Sequence, residues 1–104
     1  MHIHYISEQN SILNHFLAQL RDVNVQKDSM RFRKNMERIG EIMAYELSKK
    51  LLYKETSIQT PLGTKETMLI KDEVVLCSIL RAGLALHTGF MSFFDNAENG
   101  FVSA

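Results

Sequence analysis

The sequence predicts an α/β chain: N-terminal helices, a β-hairpin arm and the first part of a parallel-sheet core, incomplete in this chain. Three observations carry that expectation. Apolar residues in the first half recur at three- and four-residue steps, the period of a helix face. After Leu52 the pattern turns to loose alternation rich in Thr, Ile and Tyr, which suits strands. Finally, Glu73 to Ser78 is a nearly continuous apolar run, followed by an Arg-Gly turn and a second apolar segment of helical length. Strand, helix and strand in succession point to a parallel sheet.

The elements follow in order. Ser11 caps a short helix running to about Asp22, with Ile12, Leu13, Phe16, Leu17 and Leu20 on its apolar side. Asp28 or Ser29 caps a longer helix to about Lys50, which would span roughly 33 Å. Phe32, Met36, Ile39, Met43 and Leu47 form its stripe, widened by Ile42 and Leu51, and Arg31, Arg33, Lys34, Glu37, Arg38 and Glu41 fall largely opposite. Tyr53 to Thr60 reads as a strand, Pro61-Leu62-Gly63 breaks it, and Thr67 to Ile70 reads as the returning arm of a hairpin. Glu73 to Ser78 fits a strand covered on both faces. Ile79 to Gly83 is then a turn, Leu84 to about Phe94 a helix, Asp95 to Gly100 a loop, and Phe101 to Ala104 the opening of another strand. One partial domain results: helices over 1–52, the hairpin arm over 53–72 and the start of a βαβ core over 73–104. A lone parallel strand pair is a poor stopping place for a sheet, so the piece is expected to complete its sheet with further polypeptide.

Composition narrows the function classes. Twelve Lys and Arg balance twelve Asp and Glu across 104 residues. Binding to nucleic acid or to an acidic membrane surface, which needs a basic excess, is not expected. The 45% apolar content is too high for disorder. Cys77, the only cysteine, excludes an intramolecular disulfide and a cysteine-based zinc site, and its place in an apolar strand predicts a buried, inert thiol. No run reaches the ~18 apolar residues of a membrane span. The opening Met1-His2-Ile3-His4-Tyr5 lacks the basic and apolar regions of a secretory signal, and a cytoplasmic location is expected.

The segment Val74 to Leu84 holds the most suggestive chemistry. An apolar strand runs into a turn with Arg81 and Gly83, and a helix follows. Unpaired N–H groups at a helix N-terminus favour phosphate, glycine permits close backbone approach, and a guanidinium fork matches phosphate oxygens. Ligands of open α/β sheets also bind beyond the carboxyl ends of strands. Taken alone, such a pattern more often marks a surface charge beside a tight turn. His2 and His4 are too few for a metal site; His15 and His87 read as polar-face or satisfied core residues. Met30, Met36, Met43, Met68 and Met91 read as adaptable packing.

Ile79-Leu80-Arg81-Ala82-Gly83-Leu84 resembles the strand-end loop of uracil phosphoribosyltransferases, I-L-R-A-G-L. Leu20-Arg21-Asp22, Phe32-Arg33, Ile39-Gly40, Tyr45-Glu46 and Thr60-Pro61-Leu62-Gly63 resemble that family's L-R-D, F-R, I-G, Y-E and T-P-L-G strings, in register. The matches lie within the N-terminal half of a protein about twice this length. The resemblance implies the start of a phosphoribosyltransferase core in which Arg81, Ala82 and Gly83 bind the diphosphate of phosphoribosyl pyrophosphate. The whole enzyme would join uracil to ribose 5-phosphate, giving UMP in pyrimidine salvage, with Mg2+ held mainly by substrate phosphates. It implies a homodimer or association with the missing C-terminal half, and in some members a GTP effector at positions matching Lys34 and Arg38. No catalytic residue and no metal ligand is implied within this chain. Cys77-Ser78 replaces the usual Val-Pro, Thr88 replaces an acid in G-M-x-D-G, and the acidic-Thr-Gly phosphoribosyl motif is absent. The isolated chain is therefore expected to be inactive; a non-catalytic assembly or nucleotide-sensing module derived from the same fold is the alternative.

Overall fold

A computed structural model describes residues 3–81 and 83–103. Three helices, α1 (Leu13–Arg21), α2 (Ser29–Ser48) and α3 (Leu84–Met91), alternate with an antiparallel hairpin, β1 (Tyr53–Thr60) and β2 (Gly63–Ile70), and a parallel pair, β3 (Val75–Leu80) and β4 (Glu98–Ser103). A single 3-10 turn, Ile6–Glu8, precedes them.

Helix starts lie close to the expected residues. The Asp28 carboxylate accepts the Arg31 N–H at 3.1 Å, so Asp28 rather than Ser29 caps α2. The Ser11 hydroxyl accepts the Leu13 N–H at 3.2 Å, and α1 begins two residues after it. At the other end of α2, Lys49, Lys50 and Leu51 continue in bonded turns beyond Ser48.

The returning arm of the hairpin starts at Gly63, four residues earlier than the sequence pattern shows, and pairs throughout from Tyr53 opposite Ile70 to Thr60 opposite Gly63. A two-residue Pro61-Leu62 connection explains the extension. Gly63 takes φ +131°, open only to glycine at low cost, while the Thr60 hydroxyl donates to the Gly63 carbonyl at 2.6 Å. At the base, Asp72 Oδ2 accepts the Leu52 N–H at 2.8 Å and Lys71 N–H donates to the Leu52 carbonyl at 2.7 Å. The two strands pack chiefly on each other and project as an arm. The radius of gyration is accordingly 16.7 Å, against roughly 13 Å for a compact domain of this length.

The remaining elements stack in layers, α3 lying between α2 and the β3–β4 pair. Leu84 to Met91 is apolar on nearly all sides, as a helix covered on opposite faces must be. The contact with α2 is backbone on backbone. A Cβ built on Gly89 would lie 2.9 Å from both the Glu41 nitrogen and the Gly40 Cα, and one on Gly40 would lie 3.1 Å from the Gly89 Cα. Neither helix has room for a methyl group at the crossing.

Among the described residues the buried apolar set is small: Leu13, Ile39, Ala44 and Leu76. β3 alternates, with Leu76, Ser78 and Leu80 turned inward and Val75, Cys77 and Ile79 exposed. This corrects the expectation of a strand covered on both faces, because within this chain only one layer covers it. It also corrects Cys77, whose side chain faces outward and is exposed. Met30, Met68 and Met91 are exposed rather than packed.

Gly89→Ala is expected to destabilise the chain by about 3 kcal/mol through overpacking at the crossing. Gly100→Ala, whose Cβ would meet nothing nearer than Cys77 Sγ at 3.7 Å, should change stability by less than about 0.5 kcal/mol. Urea unfolding of both variants followed by circular dichroism checks the pair.

Candidate functional site

β3 and β4 run in parallel, with Leu80 opposite Ser103 in register, so both strands end at the same edge of the sheet. The turn that follows β3 carries the residues singled out above. The Gly83 N–H donates to the Ile79 carbonyl at 3.0 Å, and the Leu84 N–H donates to the Arg81 carbonyl at 3.2 Å. These bonds fold the chain back so that Gly83 caps the N-terminus of α3. A Cβ on Gly83 would sit 3.1 Å from the Ile79 carbonyl oxygen, which keeps the position small. Arg81 is exposed at the tip, and among the described residues no carboxylate pairs with it. Ala82, the third expected member of the loop, lies outside the described residues, as does His2. The geometry thus brings Arg81 and Gly83 together at the strand end, beside the first N–H groups of a helix. That is an arrangement suited to binding phosphate oxygens.

A second cluster lies directly beneath the turn. His87, on α3 and 6% exposed, approaches the Ser78 hydroxyl through Nδ1 at 2.5 Å and Asn99 Oδ1 through Nε2 at 2.8 Å. Its ring packs on Phe101 with centroids 5.0 Å apart. His87 is therefore a satisfied core residue, one of its two expected readings, whereas His15 is exposed. Residue type alone gives no hint of the cluster, because its partners are nine and twelve residues away from His87.

The two positions linked to an effector differ in character. Lys34 is exposed, with its ammonium 3.8 Å from Glu37. Arg38 donates to Asn35 Oδ1 at 3.2 Å and lies over the Phe16 ring at 5.4 Å. Asn35, completely buried, in turn donates to Gln19 Oε1 at 2.8 Å. Arg38 thus joins α1 to α2. Thr88 is exposed and donates its hydroxyl to the Leu84 carbonyl of its own helix at 3.0 Å. Among the described residues no group of three or more His, Cys, Asp or Glu is placed to hold a metal ion. No helix among them is long and apolar enough to cross a membrane.

A parallel strand pair bridged by a helix, with an exposed arginine and a glycine at the joining turn, is an α/β arrangement. The chain belongs to the uracil phosphoribosyltransferase family, whose model matches residues 6–104. It is 49% identical over 104 residues to a uracil phosphoribosyltransferase of Porphyromonas gingivalis, covering 100% of this chain and 48% of that protein. A uracil phosphoribosyltransferase of Thermococcus gammatolerans is 37% identical over 102 residues, covering 96% of this chain and 45% of the relative. Among solved structures, the AQ2163 protein from Aquifex aeolicus superposes with a TM-score of 0.72 at 27% identity, over 89% of this chain and 44% of that one. The chain thus spans about half the length of the curated relatives it matches, and its architecture is that of a partial phosphoribosyltransferase fold.

Because Cys77 faces outward, Ellman's reagent is expected to titrate one thiol per chain under native conditions. Labelling should need no denaturant, and protection until unfolding would contradict the orientation of β3.

Proposed function

We propose that these residues form part of an enzyme of pyrimidine salvage that transfers ribose 5-phosphate from phosphoribosyl pyrophosphate to uracil. N1 of uracil bonds to C1′ of the ribose as the bond from C1′ to the diphosphate oxygen breaks. The N1 proton passes to solvent, and the diphosphate departs with the bonding electrons. Negative charge grows on the leaving diphosphate, so the groups that matter most at this edge are hydrogen-bond donors fixed in place. The Arg81 guanidinium is such a donor, and no acid or base is required of it.

One observation supports the reading above the rest. The exposed guanidinium of Arg81 sits at the strand-to-helix turn, unpaired among the described residues, in a chain of the uracil phosphoribosyltransferase family. Magnesium is proposed to be held by the substrate's phosphates. A homodimer contact fits the projecting arm, where Ile58, Met68 and Leu69 are exposed. An anionic effector such as the triphosphate of GTP would meet Lys34, whereas Arg38 would have to leave Phe16 and Asn35 to join it.

The test is UMP formation by the protein carrying these residues at the length of its relatives. Arg81→Ala should lower kcat/KM for phosphoribosyl pyrophosphate by about 100-fold, the range seen when one preorganised donor to a developing anion is removed. KM for uracil should stay within about twofold, since a truncated diphosphate contact leaves the base untouched. The 104 residues alone should form no UMP. An unchanged Arg81→Ala enzyme, or activity in the isolated chain, would overturn the assignment.

A further inference from the structure

We infer that Ser78, His87 and Asn99 act as a positioning clip that holds the Arg81 turn in the geometry needed to grip a diphosphate. The inference rests on the reading of that turn given above.

The hydrogen positions follow from the contacts. The Asn99 amide nitrogen donates to the Ala97 carbonyl at 3.3 Å, which turns Oδ1 toward the histidine. An amide oxygen only accepts, so His87 Nε2 carries the ring hydrogen. In the neutral ring Nδ1 is then an acceptor, and the Ser78 hydroxyl must be the donor across the 2.5 Å contact. Both nitrogens are thereby committed, in a side chain with almost no exposure to water.

The clip closes the turn from beneath. Ser78 is on β3, three residues before Arg81, and His87 is on α3, one helical turn after Gly83. The His87 N–H donates to the Gly83 carbonyl at 2.9 Å, and the Ser78 Cβ lies 3.5 Å from where a Gly83 Cβ would stand. Bonding Ser78 to His87 therefore pins both ends of the segment that carries Arg81. Asn99 on β4 fixes the imidazole from the far side, and Phe101 covers its face. The serine that departs from the family's usual Val-Pro thus gains a partner. A proline would supply no donor at position 78 and would stiffen the strand end by itself.

The test uses the protein at the length of its relatives, with Ser78→Ala, His87→Asn and His87→Gln. Asparagine places its amide near the Nδ1 position and can keep Ser78. Glutamine reaches the Nε2 position and can keep Asn99 only. Ser78→Ala and His87→Gln should lower kcat/KM for phosphoribosyl pyrophosphate about fivefold to tenfold, the worth of one buried hydrogen bond. KM for uracil should not move, and His87→Asn should retain most of the activity. Amide hydrogen exchange at Gly83 and Leu84 should quicken in the two impaired variants and not in His87→Asn. Equal losses toward both substrates, no loss at all, or unchanged exchange would overturn the clip. If the unmodified protein forms no UMP, the transferase reading fails, and exchange at Gly83 and Leu84 then decides the clip alone.

Discussion

The crossing of α2 and α3 at Gly40 and Gly89 is the constraint on which the rest of this structure depends. Helices usually pack with axes 8–10 Å apart because side chains intervene. Here each helix presents bare backbone to the other, and a Cβ on either glycine would meet main-chain atoms of its neighbour. A glycine inside a helix costs up to about 1 kcal/mol relative to alanine. The close approach offsets that cost by bringing two whole backbones into dispersion contact. Its consequence is positional. With α3 fixed against α2 on one side, the opposite side of α3, which bears His87, is presented to β3 and β4. The N-terminus of α3, and with it Gly83 and Arg81, is then placed at the strand ends.

Around this crossing the interior is unusually polar for so small a core. Among the described residues Asn35 and His87 are buried alongside four buried apolar side chains, and no buried side-chain nitrogen or oxygen lacks a partner. Satisfied polar groups of this kind specify geometry, whereas apolar groups mainly supply burial. Asn35 fixes the seating of α1 on α2 through Gln19 and draws Arg38 into the same junction. His87 does the equivalent work between α3 and the parallel pair. Each helix that must be placed accurately is held by one directional side chain at a contact where little apolar area is available.

These two polar ties, and the crossing itself, mark where reading the residues in order reaches its end. Periodicity disclosed α2 and its stripe, and the strand–turn–helix string disclosed the turn at Arg81. Yet Phe32 of that stripe is 40% exposed while Gly40 and Ala44 further along the helix are buried. A period reveals which residues share a face. It does not reveal whether the covering element arrives as side chains, which favours large residues, or as backbone, which demands small ones. The same limit applies to β3, where an apolar run matched a strand with two covered faces although this chain provides only one layer. Ser78, His87 and Asn99 each look ordinary in isolation, and they acquire meaning only when the βαβ connection brings them to one point. Thr88, which stands where the family has an acid, spends its hydroxyl on its own helix.

The exposed outer face of β3 and the exposed guanidinium beside it belong to one electrostatic problem. Two unit charges 4 Å apart attract by about 1 kcal/mol in bulk water and about 4 kcal/mol at an effective dielectric constant of 20. Arg81 in this chain lies in the first regime, at the edge of a sheet whose Val75 and Ile79 remain 64% and 62% exposed. A layer that covered those two side chains would also exclude water from the strand ends. Leu80 and Ser103 finish side by side, so the same layer would stand over the turn that carries Arg81. Apolar burial and the strength of charge interactions at Arg81 are therefore coupled. The surface that would stabilise the sheet is the surface that would strengthen any ion pair made by Arg81.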